Sequence, residues 1–410
     1  MAISEFVPAT QSELARWLQE NAIGPRRKLS PVGGRTALQF GFAGDVDCLV
    51  DLKDLRRVVD YPARDMTVTV EAGLTIHDLQ QLLAQEGQQL PLDIPQSARA
   101  TIGGAIACNT SGPRRFGHGT FRDYVIGVSA VDAAGRLFKG GGRVVKNVAG
   151  YDLCKLLVGS RGTLGIISQV TLKLKPLPEA AGWWWFTFDS FAEMENVLER
   201  LQTSAARPVA LEMLDVPAAR LVTAESRLPL PSDVPVLAVL VEGAAREVEW
   251  QLDALRKEVV PFGVQQLERL SGVEGGTLTA ALTEFPVPTD EPVTFQANMR
   301  PSQCWRFAEL ATTLDVAVNC HAGTGVVVGQ LPETAATIEQ ALRLLSPLQQ
   351  LARGCDGNLL ILHCDREWQG RLPMCGQPES AWPLMQRLKK QLDPQNLLNP
   401  GRFVDHAAEA

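Results

Sequence analysis

The placement of glycine constrains this chain more than any other feature. Between Arg143 and Ser168 the sequence RVVKNVAGYDLCKLLVGSRGTLGIIS sets Gly150, Gly159, Gly162 and Gly165 around a short apolar run, then enters a strand pattern from Ile166 to Leu174. Glycine lets backbone approach a rigid, phosphate-bearing ligand, because no Cβ blocks the way and positive φ carries no penalty. Two more clusters lie upstream. Pro31-Val32-Gly33-Gly34-Arg35-Thr36 offers successive N–H groups on a glycine turn, with a threonine hydroxyl and an arginine that suit a pyrophosphate. The run TIGGAIACNTSG from Thr101 to Gly112, followed by Phe116-Gly117, gives close approach to a flat ring and hydrogen bonds from Asn109, Thr110 and Ser111. None of the three has the GxGxxG order at a strand-to-helix junction, and no GK[ST] occurs, so the Rossmann and Walker readings are unsupported.

Bulk properties narrow the class. The 410 residues suffice for two or three well-filled domains. A formal net charge of −7 argues against a nucleic-acid partner. No apolar run reaches the ~18 residues that span a bilayer. The opening MAISEFVPATQSELARWL lacks the basic-then-apolar order of a signal peptide, so a cytoplasmic chain is expected. The eight cysteines contain no CxxC, which speaks against an iron–sulfur or structural zinc framework and for reduced thiols. Cys355, Cys364 and Cys375 with His363 have a spacing that gives a metal site little support.

Strand and helix patterns alternate through the first part. Ser12 to Asn21 reads as a helix, Asp47 to Leu52 and Thr67 to Glu71 as strands, and Thr75 as the N-cap of a helix that Gly87 ends. Leu90 to Pro95 is extended between its prolines, and a hairpin spans Val125 to Lys139 with its turn at Ala134-Gly135. The texture changes at Lys175-Pro176-Leu177-Pro178. Beyond it, strands are expected at Trp183–Phe188, Val234–Val241, Pro292–Asn298 and Asp315–Asn319, with helices at 191–203, 245–260 and 304–314. Trp183, Trp184 and Trp185 alternate faces on a strand, so core packing or an interface patch is expected of them and a single stacking platform is not.

Taken together the clusters resemble the FAD-binding domain of the vanillyl-alcohol-oxidase/p-cresol-methylhydroxylase (PCMH-type) flavoproteins. PVGGRT is similar to the pyrophosphate loop of that class, and TIGGAIACNTSGPRRFGHGTFRDYVIGV to its central flavin segment. VAGYDLCKLLVGSRGTLGIISQVTLKLKP resembles the segment over the adenine side, and LKKQLDPQNLLNPGRFV the last element, which returns to the flavin domain. The resemblance implies an α+β fold: a two-subdomain FAD-binding domain over 1–178, an α+β cap over 179–385, and a C-terminal segment, 386–410, packed back on the first. It makes Val32, Gly33, Gly34, Arg35 and Thr36 the pyrophosphate loop. Gly103, Gly104, Asn109, Ser111, Gly112 and Gly117 become flavin-proximal contacts, and Gly162, Gly165 and Ile166 neighbours of the ADP half. Non-covalent FAD is expected, with His118 and Cys108 left open as attachment points.

Within the class, VAGYDL…GSRGTLG resembles the subunits of bacterial glycolate oxidase, relatives of D-lactate dehydrogenases. Self-sufficient relatives carry an HxGDGNxH-type segment that binds a metal and orients substrate. Here that place reads Asn319-Cys320-His321-Ala322-Gly323-Thr324-Gly325-Val326-Val327-Val328, which keeps His321 and puts valines where the second histidine would be. A local two-histidine metal site is therefore excluded, with His363 the remaining partner to consider, and no metal is assigned. The resemblance implies a FAD subunit of a glycolate oxidase complex, acting on a small 2-hydroxy acid, with His321 as the catalytic candidate. Its partners would be a second, catalytic FAD subunit and an iron–sulfur subunit, and it would reach the inner face of the membrane only through them. Two other readings stay open: a stand-alone dehydrogenase using His321 and an arginine such as Arg300, and a non-catalytic, flavin-stabilised assembly subunit.

Overall fold

A computed structural model describes residues 3–41, 44–142 and 151–402. Gly150 and the rest of the 143–150 segment lie outside the described residues, as does everything after Arg402. The chain divides into two units, Met1–Ser111 with Thr120–Leu177 and Gln377–Ala410, and Gly112–Gly119 with Pro178–Gly376.

The first unit holds a small parallel sheet, ordered Ser4–Phe6, Cys48–Asp51, Leu29–Val32, and a five-stranded antiparallel sheet. The latter runs Val58–Asp60, Thr67–Glu71, Ile166–Lys173, Val125–Val131, Leu137–Gly141. Local chemistry sets its elements. Thr10 caps the Gln11–Ile23 helix, which extends past both ends of the expected 12–21. Thr75 caps Ile76–Ala84 by accepting from the Asp78 N–H, and Ile76, Leu79 and Leu83 are its buried stripe. The hairpin turns over Asp132, whose carboxylate accepts from the N–H groups of Ala134 and Arg136.

The C-terminal segment belongs to this unit. The Trp382–Leu392 helix delivers Lys389, whose buried ammonium donates to Asp393 (2.6 Å) and to the carbonyls of Thr163 and Leu398 (both 2.9 Å). Asp393 accepts in turn from the N–H groups of Leu397 and Leu398, so each charge of this buried pair is fully coordinated. Leu398 then bridges Leu29 in parallel, at the edge of the strand that leads into Gly33-Gly34.

The second unit is built on one eight-stranded antiparallel sheet. Its order is Leu267–Ser271, Ala180–Thr187, Val236–Gly243, Ala210–Leu214, Ala317–His321, Val326–Gln330, Val293–Asn298, Asn358–Cys364. Four of these strands (210–214, 267–271, 326–330, 358–364) escaped the sequence reading. Two of them, 210–214 and 326–330, are buried at every position and so on both faces, which removes the alternation a half-exposed strand shows. Trp183, Trp184 and Trp185 show the double burial directly: their exposures are 1, 6 and 0 %. Trp183 and Trp185 pack with Ala218, Val222, Leu278 and Leu282. Trp184 stacks on Phe186 and donates to the carbonyl of Leu252. The expected strand at 315–319 begins later, at Ala317, because Asp315 takes a positive φ of 57° in the turn that ends the preceding helix.

Candidate functional site

In the first unit the fold brings the three glycine clusters together, and the space around their absent Cβ atoms shows how tightly. A Cβ on Gly33 would fall 2.1 Å from Thr101 Oγ1, and one on Gly34 only 1.7 Å from the carbonyl oxygen of Arg99. The first cluster thus lies directly on the start of the second. Gly162, at φ 67°, faces Pro31 Cγ at 2.8 Å, which sets the third cluster against the first. Gly159 lies over Asn109, and the Gly159 and Arg161 N–H groups donate to the carbonyls of Ile106 and Ala107.

Each residue named from the sequence can be placed. Val32 ends its strand buried, and Thr36 follows in an irregular turn. Arg35 adopts a positive φ of 59°, and its guanidinium is taken up by Asp51 and Glu5 at 3.0 Å each. It therefore presents backbone to the loop while its charge is spent on carboxylates. Gly103 sits in the Ile102–Cys108 helix with its Cβ position 2.7 Å from Ala72 Cβ, in the turn after the Thr67–Glu71 strand, a close contact that needs glycine for packing. Gly104 meets only its cap, Thr101 Oγ1, and is exposed. Asn109 ends that helix at φ 51°. Ser111 is the last residue of the first unit before the chain passes into the second. Gly165 packs against the Val131–Phe138 hairpin, and Ile166 is core, 1 % exposed. Gly112 and Gly117 fall in the second unit, where the Gly117 N–H donates to the carbonyl of Val209.

Two buried polar atoms among these loops have no protein partner, Asn109 Oδ1 and Ser160 Oγ. Buried oxygens of this kind cost roughly 1–3 kcal/mol each when left unpaired. Together with the exposed Gly104 and the positive φ of Gly159 (78°), they fit a dinucleotide rich in hydroxyl and phosphate oxygens.

In the second unit His321 ends its strand 4 % exposed, with Nδ1 at 2.8 Å from both oxygens of the fully buried Glu212. Asn319 Nδ2 donates to Glu212 Oε2 at 2.8 Å. The strands enforce the pairing, since Glu212 lies directly opposite His321 in the antiparallel register. The tautomer that satisfies this contact carries its hydrogen on Nδ1 and leaves the Nε2 lone pair available. Arg115 lies within electrostatic reach of Glu212, and burial lowers its pKa from the usual guanidinium value. Sequence reading missed both residues. The signal for Glu212 was present, a lone glutamate inside Ala-Leu-Glu-Met-Leu; Arg115 carried none. Nearby, Asp215 caps the Val216–Ser226 helix and also accepts from the Val318 N–H, and burial pushes its pKa up to about 8.

His363 cannot join His321. The row through His321 runs to Val326, Asn298 and Asn358, so His363 lies three strands away and five residues further along. At usual strand spacings that is roughly 14 Å across the sheet and about 16 Å along it. Cys364 contacts Met374 Sδ at 3.7 Å, and Arg300 pairs with Asp356 at 3.5 Å. Among the described residues no group of three or more His, Cys, Asp or Glu is arranged to hold a metal ion. His118 Nε2 lies 3.0 Å from Glu242, which Arg114 also engages, so the residues around Gly117 are fastened within the second unit. Among the described residues no helix is long and apolar enough to cross a membrane.

Comparison with known proteins agrees with this architecture. Residues 5–141 match the FAD binding domain family, and 177–353 with 376–403 match the C-terminal domain of FAD linked oxidases. The glycolate oxidase subunit GlcD of Bacillus subtilis (strain 168) is 26% identical over 398 residues, 92% of this chain and 84% of that protein. The glycolate oxidase subunit GlcE of Escherichia coli (strain K12) is 38% identical over 133 residues, 32% of this chain and 38% of that protein. A solved alkyldihydroxyacetonephosphate synthase superposes with a TM-score of 0.70 over 97% of this chain and 76% of its own, at 16% identity, and so shares the fold. Glycine loops with orphaned oxygens, a C-terminal segment returning to them, and matches over both parts lead to one conclusion. The chain belongs to the PCMH-type FAD-linked oxidases and is a FAD-dependent oxidoreductase.

Proposed function

We propose that this chain is the E-type, FAD-binding subunit of a glycolate oxidase complex, oxidising glycolate, with D-lactate as a second candidate, to the 2-oxo acid. Its partners are a second FAD-containing subunit, which holds the complete catalytic site, and an iron–sulfur subunit that passes electrons toward quinone. Through them the chain attaches peripherally to the inner face of the membrane. Both similar glycolate oxidase subunits support the reading.

The observation that carries it is the state of His321. Glu212 holds its Nδ1, while Val326, Val327 and Val328 are buried in the next strand where a second histidine would be needed. Bound FAD, held non-covalently, supplies the two-electron acceptor. His321 Nε2 is suited to receive a hydroxyl proton, and the Arg115 charge suits a carboxylate. Valines add neither ligand nor base, so turnover by this chain alone is not expected.

Dye reduction with glycolate and with D-lactate tests the assignment on the chain alone and reconstituted with both partners. Turnover only in the complex is the expected result. Steady turnover by the chain alone would replace it with the stand-alone dehydrogenase. A reconstituted complex whose activity survives replacement of His321 and removal of this chain's flavin would leave the assembly role. Acid precipitation should release the flavin; retention in the pellet would indicate a bond at Cys108 or His118.

A further inference from the structure

A short segment is tied across one end of the large sheet. Gly112–Gly119 belongs to the second unit, although the chain on either side of it belongs to the first. It contains a single helical turn, Arg115–His118. A spacing of four residues puts Arg114 and His118 on the same side of that turn, and both reach Glu242. Arg114 Nη1 donates to Glu242 Oε1 at 3.2 Å, and His118 Nε2 lies 3.0 Å from Oε2. The three side chains are largely buried, with exposures of 15, 11 and 9 % for Arg114, His118 and Glu242. Burial works against the Glu242 charge, yet the bonds from His118 and Arg114 outweigh it and hold the pKa below the ordinary carboxylate range.

Backbone and packing fasten the rest of the segment. The Gly117 N–H donates to the carbonyl of Val209 at 3.0 Å, and a Cβ on Gly117 would meet Val209 Cα at 2.7 Å. The Phe116 ring lies on Gly323, where a Cβ would fall 2.2 Å from Phe116 Cδ2. Glu242, Val209 and Gly323 mark the same end of three adjacent strands, 236–243, 210–214 and 317–321. The residues around Arg115 are thereby held in three ways: Arg114 by charge, Phe116 by packing and Gly117 by its amide. Arg115 itself lies within electrostatic reach of Glu212, the partner of His321. A carboxylate beside His321 needs its cation at a fixed place, because a charge-assisted bond weakens steeply once donor and acceptor are misplaced.

We propose that Glu242 is a positioning residue: through Arg114 and His118 it fixes the Gly112–Gly119 segment over the strand ends and so sets Arg115 for the substrate carboxylate. The inference rests on the reading of Arg115 as the carboxylate's partner and adds what holds it there.

The test is calorimetric titration of the full-length, FAD-loaded protein with glycolate and with glycolamide, its uncharged amide. Far-UV circular dichroism and flavin absorbance verify folding and cofactor content of each variant. The wild type should prefer glycolate by roughly 10- to 100-fold, the worth of one charge-assisted bond, and Arg115→Gln should abolish that preference. Glu242→Gln, which keeps the shape and removes the charge, should cut the preference roughly three- to tenfold and leave glycolamide within about twofold. Gly117→Ala should do the same without any change of charge, since its Cβ must push the segment off Val209. Folded Glu242→Gln and Gly117→Ala proteins that keep the full preference, while Arg115→Gln loses it, would overturn the positioning role and leave Arg115 in place. An equal loss for both ligands would overturn it too, marking Glu242 as support for the fold alone. A wild type without preference, or an Arg115→Gln protein that retains it, would overturn the carboxylate reading and this inference with it.

Discussion

The two units solve the problem of holding polar groups in a protein interior by different means. In the first, the groups that matter are backbone and short side chains on turns: Gly33, Gly34, Gly159 and Gly162, with Asn109 and Ser160 left without partners. In the second, the key group is a pair of side chains, Glu212 and His321, that bond to each other across two strands of a sheet buried on both faces. A site of the first kind is built around something the protein does not itself supply. A site of the second kind is complete at Nδ1 and offers one ring nitrogen. The contrast explains how a chain can be well equipped to hold a flavin and modestly equipped to use it.

Four changes would break or sharpen that contrast. The largest effect is expected from Gly34→Val, because even the first side-chain atom would lie 1.7 Å from the Arg99 carbonyl and must separate the first two glycine loops. The purified variant should carry no flavin by visible absorbance; a full complement would show that the contact is dispensable.

Next is Glu212→Ala, which leaves His321 and Asn319 without their shared buried acceptor. Each buried donor left without an acceptor costs about 1–3 kcal/mol. Denaturant unfolding followed by tryptophan fluorescence should show it, while flavin content stays unchanged. Loss of flavin at the same time would end the separation of roles drawn above.

Asp215→Asn addresses pH. The folded-state pKa of Asp215 is about 8 because burial disfavours its charge, against an ordinary carboxylate value in the unfolded chain. The folded state then binds the extra proton between about pH 4 and 8, so stability falls as pH rises through that window and levels off above it. One such group accounts for a few kcal/mol at most. Asparagine keeps an acceptor for the Ala218 and Val318 amides and places an amide where Oδ2 has no partner. The variant should flatten the slope and match or exceed wild-type stability at pH 8. An unchanged slope would mean that Asp215 is not its source.

The smallest effect belongs to Arg35→Ala. Its side chain is 38% exposed, and its bonds reach Asp51 and Glu5. Solvent screening limits the loss to under ~1 kcal/mol. FAD affinity should hold as well, since the loop's contribution at this position is backbone; a tenfold loss of affinity would return the guanidinium to the ligand.

What the sequence determined by itself was local. Glycine spacing marked the three loops, Thr75 and Gly87 bounded a helix, and Val326 to Val328 in place of a second histidine could be read directly, because each depends on residues adjacent in the chain. Tertiary structure decided the rest. Only the fold shows that Gly34 touches Arg99, that Gly103 and Gly165 serve packing, and that Gly112 and Gly117 go with the second unit. Glu212 and His321 are 109 residues apart and meet through strand register, which no local pattern encodes. Burial at every position hid the strands at 210–214 and 326–330 for a related reason, since burial on both faces erases the period that reveals a strand. Arg161 and Arg402, 241 residues apart, meet through the C-terminal segment, which Leu398 and Asn399 fasten to the strand that leads into the first glycine turn and to the Arg161 carbonyl.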